Sequence, residues 1–122
     1  MRRKGFTLLE VLMVIAVLAI LAGIAFGLLS SVEGAKITAT RALVHTLGVE
    51  AGTVANLKGF PPEKLEDLAP RLSPPGKIKE GKFVDAWDRP LEYRVEGRRF
   101  RLWSCGPDGV SGTADDLPYK RN

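Results

Sequence analysis

From Val11 to Val32 the chain has no charged residue, and almost every position is Leu, Ile, Val, Ala or another apolar type. About 20 such residues in a helix span the ~30 Å hydrocarbon core of a bilayer. A chain of 122 residues has room for one small domain and little interior in which to hide such a run. The run therefore reads as a membrane segment. The modest soluble domain that follows holds nearly all the charge and all 8 prolines.

Arg2, Arg3 and Lys4 precede the run. Basic flanks stay on the cytoplasmic side, which sends the C-terminal domain across the membrane. The same pattern opens a secretory signal, and the small residues of "ILAGIAFG" leave cleavage there open. The very short basic region and Glu10 inside the apolar run argue against it. A carboxylate at a helix centre costs roughly 2.5–3.5 kcal/mol on insertion scales. At a helix start the cost falls, and the dipole favours the acid by up to ~1 kcal/mol. Glu10 is then either a tolerated first-turn acid or a carboxylate kept for a purpose.

Charge and cysteine content exclude several functions. Removing Arg2, Arg3 and Lys4 from the 18 basic residues leaves 15 against 14 acidic ones. No basic stripe remains for nucleic acid, so no direct nucleic-acid partner is expected. The single cysteine, Cys105, rules out an intrachain disulfide. No motif joins Cys105, His45 and the aspartates into a catalytic set, so an enzyme is not expected.

Helical patterning continues beyond the apolar run. Ala35, Ala39, Ala42, Leu43, Thr46, Leu47, Val54 and Leu57 recur at spacings of three, four or seven, and no proline occurs before Pro61. One helix from about Phe6 to Leu57 is expected. Gly59 and Pro61-Pro62 stop it. "PEKLEDLA" reads as a short second helix with Leu65 and Leu68 turned inward, and "SPPGKIKEGK" as a loop. In "LEYRVEGRRFRLW", alternation of Leu91, Tyr93 and Val95, then Phe100 and Leu102, predicts a hairpin turning at Glu96-Gly97. A sheet of two or three strands can pack on the amphipathic half of the helix, an α+β arrangement with Trp87 and Trp103 at the junction.

The segment "SCGPDGVSGTADDLPY" is dense in Gly, Pro and Asp, which favour turns. It is either a solvated turn or a calcium loop. Ca²⁺ takes six to eight oxygens from carboxylates, backbone carbonyls and water. Asp108, Asp115 and Asp116 can converge if the turn doubles back. Their spacing is not that of an EF-hand.

Two stretches carry a family resemblance. "KGFTLLE" resembles the class III signal of type IV pilins and type II secretion pseudopilins. That resemblance implies a leader of residues 1–5, cut by a prepilin peptidase after Gly5, and an N-methylated Phe6. Residues 6–32 are then the transmembrane and assembly half of the helix, and residues 33–122 a periplasmic globular domain. Glu10 acquires a partner, because in a filament it can approach the Phe6 amine of a neighbouring copy. Each then neutralises the other in a low-dielectric setting.

The second stretch, "DAWDRPLEY" with "LWSCGPDGVSGTADD", is similar to the C-terminal signature of the type II secretion major pseudopilins. Asp85, Trp87, Pro90 and Tyr93 match its first part. Ser104, Gly106, Asp108, Gly109, Gly112, Thr113, Asp115 and Asp116 match its second. The resemblance implies bound Ca²⁺, with carboxylates from Asp108, Asp115 and Asp116 and backbone oxygens near Cys105 and Thr113.

The implied fold is pilin-like. The implied function is a structural subunit of a homopolymeric pseudopilus for protein export. It would be anchored in the inner membrane among lipid, beside other pseudopilins and the inner-membrane secretion platform. The alternative is a minor pilin-like subunit of a type IV pilus or DNA-uptake machine.

Overall fold

The computed structural model describes residues 4–73 and 76–121. Arg2 and Arg3 of the expected leader lie outside the described residues. Helix α1 runs Leu8–Lys58. Thr7 starts it: the Glu10 amide donates to Thr7 Oγ1 at 3.3 Å, and the Val11 amide to the Thr7 carbonyl at 3.2 Å. The spacing Thr7-x-x-Glu10 is that of a capping box, with a side-chain oxygen satisfying an amide that has no partner inside the helix. Gly59 ends the helix with φ 84°, its amide donating to the Ala55 carbonyl at 2.9 Å. An L-side chain resists that conformation, which is why glycine stands there.

The chain divides into two compact units, Met1–Gly34 and Ala35–Asn122. In the first, every described residue is exposed, including each large apolar side chain from Phe6 to Val32. By length and composition α1 qualifies as a membrane-crossing helix, and its apolar window makes no burying contact.

In the second unit, α1 buries Thr40, Val44, Leu47, Gly48, Ala51 and Val54. This corrects the phase of the expected face. Leu47 and Val54 are on it, whereas Ala35, Ala39, Ala42, Thr46 and Leu57 are exposed. The region is rich in small residues, so apolar spacing alone could not choose between adjacent stripes. The larger Val44 and Leu47 settle the choice, because they bury more area per position.

Leu65–Arg71 forms a 3-10 helix that buries Leu65 and Leu68 against this face. Pro62 lies before it rather than in its first turn. Pro70 within it lacks the N–H that a further α-turn would need. The segment expected to be a loop contains a small antiparallel ribbon, β1 (Ile78–Lys79) and β2 (Lys82–Phe83), joined by Glu80-Gly81. Both turn residues have positive φ, 52° and 76°, as a type I′ turn requires. Two-residue strands carry no alternation to read, so the pattern was invisible in the sequence.

The main sheet has three antiparallel strands in the order β3 (Glu92–Glu96), β4 (Arg99–Ser104) and β5 (Leu117–Pro118). Register pairs Tyr93 with Leu102 and Val95 with Phe100, which puts the expected apolar residues on one face. Glu96 pairs with Arg99, so the turn is Gly97-Arg98, one residue later than expected. Gly97 has φ 63° at its first position. The core joins Val44, Leu47, Ala51 and Val54 of α1 to Leu65, Leu68, Phe83 and Leu102, with Tyr93, Phe100 and Tyr119 packed against it. Trp87 and Trp103 are not part of this core. Both are half-buried, and the Trp103 indole N–H donates to Ser111 Oγ at 3.1 Å while Arg94 lies over its ring at 5.8 Å.

Candidate functional sites: the helix start and the C-terminal loop

The helix start carries Gly5, Phe6 and Glu10. Gly5 has nothing within 4 Å of the position a Cβ would take, and Phe6 is 83% exposed. Glu10 lies in the first turn of α1 and is exposed. The Gly5-Phe6 bond is therefore open, just ahead of a capped helix. The cap at Thr7 leaves the helix intact when residues before Phe6 are removed. The Thr7-x-x-Glu10 spacing is present in the sequence, and in the structure it is the Glu10 backbone amide that bonds Thr7.

The C-terminal loop lies between β4 and β5, whose pairing of Ser104 with Leu117 closes its base. Asp85 organises the approach to it. This carboxylate is 1% exposed. Its Oδ1 accepts from the amides of Trp87 at 2.9 Å and Arg89 at 3.0 Å, and its Oδ2 from the Ser104 hydroxyl at 2.7 Å. Ser104 Oγ in turn accepts from the Gly106 amide at 3.1 Å. Thr40 of α1 accepts from the Ala86 amide at 3.1 Å. The Asp-x-Trp-x-x-Pro stretch is thus a turn built around one buried carboxylate and tied to both the helix and the loop. Buried charge persists only when its oxygens are satisfied in this way. Asp88, in the same turn, adopts φ 60° and is ion-paired with Lys77.

Inside the loop, Asp108 Oδ1 accepts from the Val110 amide at 3.0 Å and Oδ2 from the Thr113 hydroxyl at 2.6 Å. The Thr113 hydroxyl, then the Val110 amide, hold the Asp108 carboxyl below its ordinary value, with the charge of Arg89 adding to them. Asp116 Oδ2 accepts from the Gly112 amide at 2.7 Å, whereas Asp116 Oδ1 is buried without a hydrogen-bond partner. Asp115 turns its backbone carbonyl against Gly106, where any Cβ would collide with it. Gly106 also has φ 67°, so two constraints require glycine there. Cys105 is buried. Burial, then Glu92 and Asp116, push its thiol up, so the sulfur is no thiolate at neutral pH. His45, on α1, meets Tyr119 edge-on at 6.1 Å.

These positions test the calcium expectation. Among the described residues no three His, Cys, Asp or Glu side chains gather at one point. The structure brings Asp108 to Thr113 and Asp116 to Gly112, and leaves Asp115 exposed. The donors are nevertheless all hard oxygens. Asp116 Oδ1 is a buried oxygen with acceptor capacity left unused. The donors fit calcium in kind, while the described carboxylates do not converge on one point. Sequence reasoning singled out Ser104 without its bond to Asp85, and missed Thr40 and Arg89. An Asp two and four residues before amides it can accept from is a turn signal that could have pointed to the last.

Residues 1–26 match the family described as the prokaryotic N-terminal methylation motif. The chain is 28% identical over 130 residues to type II secretion system core protein G of Pseudomonas aeruginosa, spanning 94% of this chain and 91% of that one. It is also 28% identical to type II secretion system core protein G of Pectobacterium carotovorum, over 95% of this chain and 83% of that one. No solved structure matches the chain significantly. The methylation motif, the long helix and the small antiparallel sheets define a pilin-like protein. Along nearly its whole length the chain is similar to these core G proteins.

Proposed function

We propose that the chain is the polymerising subunit of a type II secretion pseudopilus. A prepilin peptidase removes residues 1–5, and Phe6 is methylated. Before assembly the mature subunit spans the inner membrane once, with its N-terminus cytoplasmic and residues 33–122 periplasmic. It is then drawn from lipid into a filament of its own copies and other pseudopilins by the inner-membrane platform. The observation that carries this reading is a methylation-type N-terminus on a helix whose apolar part, up to Val32, is exposed, in a chain similar along nearly its whole length to core G subunits. Both named relatives are type II secretion proteins, which favours secretion over a pilus or DNA-uptake machine.

The geometry suits a polymer. In the membrane the apolar stripe is covered by lipid; in a filament it is covered by other copies. Glu10 is costly to leave alone in lipid and gains from pairing with the amine of a neighbour's Phe6. The C-terminal loop takes Ca²⁺ through the carboxylates of Asp108, Asp115 and Asp116 and backbone oxygens near Cys105 and Thr113. The ion supplies a cross-link between loop arms where a disulfide is impossible. Supporting it are the hard-oxygen donors and the unpartnered Asp116 Oδ1.

Intact-mass analysis of membrane-extracted protein tests the reading. Residues 6–122 with one N-methyl group are expected. A mature N-terminus beyond residue 20 would show an ordinary signal peptide and sink it.

A further inference from the structure

Arg89 is the residue of the Asp85 turn that reaches into the loop. Its backbone is held in both directions: its amide donates to Asp85 Oδ1 at 3.0 Å, and its carbonyl accepts from the Asp85 amide at 2.9 Å. Its Nη1 donates to the Gly106 carbonyl at 2.8 Å and the Pro107 carbonyl at 3.2 Å. The guanidinium lies flat against Gly109, where a Cβ would meet Nη1 at 2.5 Å. Gly109 also has φ 67°. Three features thus converge: an arginine whose backbone amide is held by a buried carboxylate, two consecutive carbonyls that accept from its guanidinium, and a glycine that makes room for it. A surface arginine left to solvent has none of these.

We propose that Arg89 is a positioning residue of the C-terminal loop, an internal cation that holds the arm from Cys105 to Gly109 closed before any metal arrives. Two consecutive carbonyls accept from one guanidinium, and such charge-assisted bonds hold them more strongly than neutral ones. The planar fork is suited to this, because it spends little rotational freedom per bond formed, unlike a lysine. The arm it fixes carries the Cys105 carbonyl and Asp108, so a loop already ordered costs a cation less to organise. That last consequence rests on the calcium reading; the hold on the arm does not.

The experiment compares wild type, Arg89→Lys and Arg89→Met as full chains in detergent. Amide hydrogen exchange is measured in chelator, and calcium binding by titration calorimetry. Arg89→Lys keeps the charge and loses the fork. Exchange across 105–110 is expected to quicken about tenfold or more in both variants, the size of losing charge-assisted bonds. Peptides covering 44–54 report the core and should be unchanged. The calcium dissociation constant of Arg89→Lys should rise several-fold. Wild-type exchange across 105–110 in Arg89→Lys overturns the proposal, and wild-type calcium affinity beside faster exchange overturns its consequence for calcium. If wild type takes up no calcium while both variants still exchange faster across 105–110, the calcium reading fails and the positioning role stands.

Discussion

Tyr93 shows how one side chain holds two layers together. Its hydroxyl donates to the Pro62 carbonyl at 2.7 Å, tying β3 to the segment before the 3-10 helix. Burial, then the charge of Asp67, push its pKa up to about 12. The native state therefore keeps its proton above pH 10, where an unfolded tyrosine begins to lose one. Tyr93 contributes stability that is fully present below about pH 10 and is lost as pH rises through about 12. Tyr93→Phe should cost about 1 kcal/mol at neutral pH, the net worth of one hydrogen bond. It should also flatten the alkaline fall in stability. Chemical denaturation of both forms between pH 7 and 11 checks this; parallel curves would show that the tyrosine does not titrate with folding. The other residue-scale lesson is Gly48, against which the Tyr119 ring packs so closely that no Cβ fits. Tyr119 also stacks on Phe100 at 5.8 Å, so one glycine on α1 admits an aromatic wedge from the C-terminus.

Among the elements, the second part of α1 and the C-terminal loop behave oppositely. The helix is held by apolar contact. Leu47 is fully buried in the core, whereas Leu57 is 73% exposed. Leu47→Ala should therefore cost about 2–5 kcal/mol, transfer and cavity terms together, and Leu57→Ala under about 0.5 kcal/mol. Equal losses in thermal denaturation would restore the face first read from the sequence. The loop has little apolar surface and is held by polar bonds and, on our proposal, by calcium. A ligand that binds only the folded form stabilises by about 2.7 kcal/mol at one hundred times its dissociation constant. Added Ca²⁺ should raise the melting temperature of the full chain in detergent, and Mg²⁺ should do less because it demands a tighter octahedral shell. Asp108→Ala, and Asp115→Ala with Asp116→Ala, should remove the response. A melting curve indifferent to calcium, chelator and these variants alike would leave the loop a solvated turn.

For the molecule as a whole, the exposed apolar helix is unfinished until lipid or other copies cover it. Glu10→Leu should insert at least as well as wild type, since it removes a polar group from hydrocarbon. It should assemble poorly, because a neighbour's Phe6 amine loses its counter-charge. Filament yield against membrane-inserted protein separates the two, and wild-type yield would refute the charge pair. The residues that decide this scale were legible without coordinates. An uncharged run from Val11 to Val32 specifies a membrane-length apolar helix through composition and order alone, because lipid reads hydropathy, and the proposals on processing and assembly rest on the local sequence around Gly5-Phe6 and Glu10. The β3–β4 hairpin was equally legible, since its alternation survives in any surrounding. What tertiary structure decided was everything that depends on two distant segments meeting. Which stripe of α1 is buried was chosen by Phe83, Leu102 and the 3-10 helix packing on Val44 and Leu47. The Asp85 turn could be read as a motif but not as a clamp, because its partners Thr40, Ser104 and Gly106 are brought to it only by folding. The same holds for Arg89, an ordinary surface charge in the sequence, whose place against Gly106, Pro107 and Gly109 follows from the buried Asp85 carboxylate holding the backbone of its own turn beside the loop.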